Sequence, residues 1–394
     1  MSGWTVGQWS KNFTVTSALF LVCWQVAAVL GAGGTVQVYL GVYGFVLHMV
    51  FGKAYTLVPS YFDRTPGDPR AFALVLALTS SGTLLLAAGT VVPVLFPLGA
   101  LLWVAGVAVF VGSVGWAVRD NLLGGETATS EANRDRRAVD RYANLFVPVA
   151  LAYLVVGSYD TLAATTALPA FLVASLPRVA HLMAAGTAAL LLLALGFRLL
   201  PRFLVVSPPR PLVWLVLPTG AVGPVLLATT LLSGTWFQVG AAVEATAVVG
   251  FALAYTLMWW RSERNRVGLN TVLFAAVSGV FGVLVGLHFA FAGVSASLVT
   301  AHVRLNLLGF LGLSIVGIAY QFYPPNVGRF PGGNDRTAYA TVALLAGGLW
   351  LEAAALAVGV SGVPTVGRLL ALLGASGYAY IVVRLVRQQR RGRR

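Results

Sequence analysis

One cysteine, Cys23, is all that the 394 residues contain, which excludes an internal disulfide, a cysteine-held cluster and a zinc finger. Cys23 reads as an inert residue of an apolar helix. Charge is just as scarce: Asp, Glu, Lys and Arg make up 10% of the chain, against about 25% in a soluble globular domain. Acids are the rarer sign, 12 against 26 Lys and Arg. Four histidines, His48, His181, His288 and His302, are the whole supply of imidazole. The first residues, Met1 to Lys11, lack the strongly basic region and small-residue cleavage site of a signal peptide, so the first helix is expected to be retained.

What is present in excess is apolar sequence. Hydrophobic residues make up 58% of the chain and the mean hydropathy is +0.84, which together imply a polytopic membrane protein. Apolar runs of about 20 residues predict twelve helices near 14–32, 35–59, 70–91, 94–118, 142–158, 178–200, 212–233, 237–260, 268–291, 298–322, 337–360 and 364–386. Basic residues test this layout independently. With both termini and every even-numbered connection in the cytoplasm, all Lys and Arg lie inside except Arg178, Arg304 and Arg368. The net charge of +14 is then a matter of topology, and nucleic acid is not an expected partner. The basic tail, 384–394, is expected to meet anionic lipid headgroups. One membrane domain is expected over 1–394, in the cell membrane, with a partly mobile polar loop over 119–141.

A pattern recurs three times: Gly44, Gly186 and Gly309; Gly52, Ala194 and Gly317; Tyr55, Phe197 and Tyr320; Pro59, Pro201 and Pro324. It falls on the second, sixth and tenth predicted helices, which predicts three four-helix arcs, about 1–118, 142–260 and 268–388, around one centre. The closing proline of each copy is expected to end its helix. The abundant glycine, 44 residues, suits close helix packing in lipid.

Ionisable groups in hydrocarbon are costly, so each is a functional candidate. His181, His288, His302, Glu244 and Glu352 are expected at one depth near the outer side, on five different helices. Histidine suits heme iron or copper, and the carboxylates could orient ligands or carry protons. The alternative for each histidine is a hydrogen bond to a neighbouring helix. For His48, at mid-membrane on the face of Gly44 and Gly52, packing is the favoured reading, with a proton-relay or axial-ligand role as the other.

Twelve helices in three arcs, with His181 and His302 near the outer ends of helices six and ten, resemble the heme-copper oxidase subunit I superfamily over the whole chain. The sharpest local match is Ala301-His-Val-Arg-Leu-Asn-Leu-Leu-Gly-Phe-Leu-Gly-Leu313, which looks like that family's His-x-His helix. The resemblance implies that His302 ligates a high-spin heme and that Arg304, in the second histidine's place, pairs with a propionate or carboxylate. It also implies ligands that are missing here. The second helix has Tyr43-Gly44 where a His is expected, 212–233 has no His-His pair for copper, and His181 is not followed by Pro-Glu-Val-Tyr.

The resulting expectation is an oxidase-like protein that is not a competent oxygen or nitric oxide reductase. It would bind one b-type heme or metal ion through His302 with His181 or His288, for sensing, carrying or accessory redox work. Competing expectations are a heme-free transporter or channel whose polar residues line a passage, and a structural or assembly protein.

Overall fold

The computed structural model describes residues 5–173 and 175–391. Residues 392–394, the end of the basic tail, lie outside the described residues, as do residues 1–4. The structure is helical, with no strand among the described residues. Twelve helices are long and apolar enough to cross a membrane: α1 (Val6–Val29), α2 (Gly34–Tyr61), α3 (Pro69–Gly89), α4 (Pro93–Ala117), α5 (Glu131–Ala163), α6 (Leu176–Leu204), α7 (Arg210–Thr230), α8 (Gly234–Arg261), α9 (Val267–Ala292), α10 (Ala296–Val327), α11 (Asp335–Val358) and α12 (Val363–Arg390). Helix is the form such runs must take, because hydrocarbon offers the backbone no partner outside its own ladder. Short polar residues cap the ends. Asp68 accepts from the backbone N–H of Arg70 at 2.8 Å ahead of Pro69, and Asn334 accepts from Thr337 at 2.9 Å. Such caps contribute about 1 kcal/mol each.

Consecutive helices pair in antiparallel register, and the repeated glycines are where they touch. A Cβ on Gly44 would lie 2.6 Å from the Phe20 ring of α1, one on Gly186 2.6 Å from Tyr153 of α5, and one on Gly309 2.5 Å from Ser278 of α9. The repeated aromatic reaches the fourth helix of each successive four. Tyr55 stacks on Phe72 at 3.6 Å and meets Phe110 of α4 at 4.9 Å, Phe197 meets Phe251 of α8 at 5.7 Å, and Tyr320 meets Tyr378 of α12 at 5.8 Å. Helices α2, α6 and α10 pack against one another, each through a widened π-helical stretch: Tyr39–Val46, His181–Ala189 and Leu305–Leu313. Between them lies an apolar cavity of about 80 Å³, with Lys53 at its lining. Around this centre α4 packs on α5, α8 on α9 and α12 on α1.

Several boundaries differ from expectation. Helix α5 begins at Glu131, because the amphipathic turn Arg137–Asn144 runs into the apolar Phe146–Ala163 with almost no break. Pro59 and Pro201 lie inside the last turns of α2 and α6, which continue to Tyr61 and Leu204, and only Pro324 follows its helical stretch. Each of the two forfeits one ladder bond for want of an N–H, while its carbonyl still accepts, Pro59 O from Arg64 N at 2.8 Å and Pro201 O from Val206 N at 3.1 Å. The basic tail continues α12 as helix to Arg391, where Gln388 accepts from the N–H of Arg329 at 2.6 Å and donates to Val327 O at 3.1 Å.

Residues of the loop over 119–141, expected to be partly mobile, bond to the helices and to one another. Arg198 on α6, 1% exposed, donates to Tyr61 O at 2.7 Å, Asn144 Oδ1 at 2.5 Å and Thr127 O at 2.8 Å. Asp140 takes an ion pair from Arg198 at 3.3 Å and another from Arg202 at 2.7 Å. Arg64 clasps Asp120 at 2.9 Å and Glu126 at 2.6 Å, and its hydrogen bond holds the Asp120 carboxyl below the usual carboxylate range.

Candidate functional site

His48 has no nitrogen to spare. Its Nδ1 lies 2.8 Å from Tyr43 O, a pure acceptor, so Nδ1 carries the proton. Nε2 then accepts from Ser80 Oγ at 3.0 Å on α3. The ring is buried beside Phe20, with centroids 5.0 Å apart. His48 therefore joins α2 to α3, the packing role that its place beside Gly44 and Gly52 suggested.

His302 and His181 are built differently. They lie toward the end of the bundle opposite the first residues of α1, here termed the far end. His302 Nδ1 is 2.9 Å from Gly282 O of α9. The ring lies flat enough on α9 that a Cβ on Gly286 would come within 3.1 Å of its Cε1. Phe289 covers it at 5.6 Å, and Asn306, one turn on, donates to the His302 backbone O at 2.8 Å. His181 Nδ1 is 2.7 Å from Pro177 O, a carbonyl one turn back in its own helix. In both rings the nearest partner of Nδ1 is a carbonyl, which places the proton there and leaves the Nε2 lone pair free; Asn306 Nδ2 also lies 3.3 Å from His302 Nδ1. This is the arrangement that prepares an imidazole to ligate a metal. His181 begins the π-helical stretch of α6 and His302 lies just ahead of that of α10, two stretches that pack on each other.

The other expected members do not join them. His288 is exposed on α9, because its position on the helix turns it away from α10 while His302 faces inward. Glu352 was expected to orient a histidine; it binds Arg304 Nε at 2.8 Å and Arg368 Nε at 2.7 Å instead. Arg304 Nη2 donates to Gln25 Oε1 of α1 at 2.8 Å, and its guanidinium lies 5.1 Å over the Trp24 ring. Glu244 is buried against α7 opposite Gly223, with Oε2 unpartnered. The five groups expected at one depth thus divide into His181 and His302, each with Nδ1 on a carbonyl, Glu352 in an arginine–glutamate cluster, and two separate residues. Among the described residues, no three His, Cys, Asp or Glu side chains are grouped to hold a metal ion.

Sequence reasoning passed over Gln25, Trp24 and Asp160, and took Arg368 only as a basic residue outside the cytoplasm. Asp160 is fully buried and accepts backbone N–H groups from Phe171 at 2.7 Å, Leu172 at 3.2 Å and Val173 at 2.9 Å, which anchors the connection from α5 to α6. Gln25 was missed because only ionisable residues were weighed. A lone amide in an apolar run needs a partner for the same reason a charge does.

No protein-family model matches this chain, and no curated protein matches it. The donors themselves give the test of the cofactor that the resemblance implies. Each Nε2 lone pair suits an imidazole ligand. The ligand position that 304 would supply to a second heme does not fit, since an ion-paired guanidinium occupies it, and the facing glycines of α2 are covered: Gly44 by Phe20, and Gly41 by Trp24, with a Cβ there only 3.0 Å from the indole.

Proposed function

We propose that the chain is an integral membrane protein on a frame like that of heme-copper oxidase subunit I. Its arcs are α1–α4, α5–α8 and α9–α12, its termini are cytoplasmic and its far end faces out of the cell. Supporting the arcs, the repeated glycine meets the first helix of its own arc in each copy, and the repeated aromatic meets the fourth. The distribution of Lys and Arg supports the sides.

On this frame His302 and His181 hold one metal centre, a single ion or the iron of one b-type heme, for sensing, carrying or accessory redox work. The observation that carries this reading is that two imidazoles toward the same end of the packed helices α6 and α10 both have Nδ1 against a carbonyl. When bound, such a centre supplies one-electron transfer or an open coordination position. The chain's own part is orientation and shelter. Pro177 and Gly282 aim the rings, and Phe289 limits water. Oxygen and nitric oxide reduction is not proposed, because α7 has no histidine pair and the second heme position does not fit. The transporter reading has less support, since the central cavity is apolar save for Lys53.

Purified protein, expressed with iron, copper and heme supplied, is expected to carry about one equivalent of metal or heme by elemental analysis and pyridine hemochrome. Protein with neither under all three supplies contradicts the proposal.

A further inference from the structure

The arginine cluster has more donors than acceptors, and the surplus is buried. Two guanidinium groups, Arg304 and Arg368, share the single carboxylate of Glu352. Arg304 commits Nε to Glu352 and Nη2 to Gln25, while its Nη1 has no partner. Gln25 spends its oxygen on Arg304 and leaves Nε2 unpartnered, and Trp24, whose ring carries Arg304 over it, leaves Nε1 unpartnered. All three donors belong to side chains that are at most 1% exposed. A buried unmet donor is costly and is rarely tolerated even singly. Here three lie on Arg304 and on the two side chains that touch it, beside one excess positive charge, and Arg368 has 22% of its side chain exposed.

We infer that this cluster is a binding site for one small monovalent anion, of halide or nitrate size, held by Arg304 Nη1, Gln25 Nε2 and Trp24 Nε1. The anion supplies the charge that Glu352 alone does not, and the acceptor that no residue provides. It enters past Arg368. The site is separate from His181 and His302 and does not depend on a metal there.

Thermal unfolding of the full-length protein in detergent tests this, with sodium gluconate replaced stepwise by sodium chloride or nitrate at constant ionic strength. The expected result is a saturable rise in Tm, about 2 °C for each tenfold increase beyond half-saturation. Gln25→Glu places a carboxylate of nearly the same shape beside Arg304. That variant is expected to be as stable in gluconate as the wild type in chloride, and to ignore added chloride. Should Gln25→Glu fail to fold, equilibrium binding of radioactive chloride to the wild type and to Trp24→Phe decides. One chloride per chain is expected, bound several-fold more weakly by Trp24→Phe. Three results overturn the inference: no difference between chloride and gluconate in the wild type, which means water fills the site; an unchanged response in Gln25→Glu or unchanged binding in Trp24→Phe, which puts the anion elsewhere; or a porphyrin in the purified protein together with a flat chloride response, which means a propionate is the occupant.

Discussion

Glu352→Ala is expected to be the most damaging single substitution in the membrane interior. It leaves Arg304, 1% exposed, without its only carboxylate, and removing one partner of a buried pair costs about 3–5 kcal/mol. Gln25 cannot compensate, since its amide oxygen already accepts from Arg304 and carries no charge. Arg368 suffers less because part of it reaches the surface. Little folded protein should therefore be recovered after detergent extraction, measured as the monodisperse fraction in size-exclusion chromatography. The double variant Arg304→Met/Glu352→Leu is expected to recover most of the yield, because replacing both charges by apolar groups removes the desolvation penalty as well as the attraction. A double variant as poor as Glu352→Ala would mean that the cluster's polarity itself is needed for the fold.

The second large effect is expected at Gly317, the tenth helix's copy of the second small residue in the repeat. A Cβ there would lie 2.6 Å from the carbonyl oxygen of Gly268 and 3.1 Å from the backbone nitrogen of Val272. Backbone atoms cannot rotate aside, so α9 and α10 must part. Gly317→Val should lower stability by about 3 kcal/mol or more, at the upper end of overpacking costs. Gly347→Ala is the matched control, with nothing within 4 Å of its Cβ, and should stabilise by up to about 1 kcal/mol through helix propensity. Thermal unfolding monitored by tryptophan fluorescence separates the two. The comparison also accounts for variation within the repeat: the sixth helix carries Ala194 at this position, so its neighbours there accommodate a methyl group.

These two cases show what could be read from the sequence. Twelve spans were legible because each is a long apolar run, and the repeat was legible because close approach of helices demands small residues at fixed places. Position along each helix follows from counting residues. Azimuth does not. In a bundle set in lipid, both the buried and the lipid-facing sides of a helix are apolar, so hydropathy does not say which way a residue points. His288 and His302 were placed at equal depth, yet one is exposed and the other lies on the neighbouring helix. Glu352 was likewise assigned by depth to the histidines and sits with Arg304 instead. Helix α5 was cut short for a related reason, because its polar first turns carry no apolar signal while folding against Arg198 and Arg202.

Histidine substitution combined with a count of bound metal and heme tests the central claim most directly. His302→Ala and His181→Ala should each lose at least about tenfold in occupancy, as expected when one of two protein ligands is removed. His288→Ala, altered at the same depth but on an exposed face, should retain the wild-type content. Equal content in all three variants and the wild type, or loss confined to His288→Ala, would contradict the account.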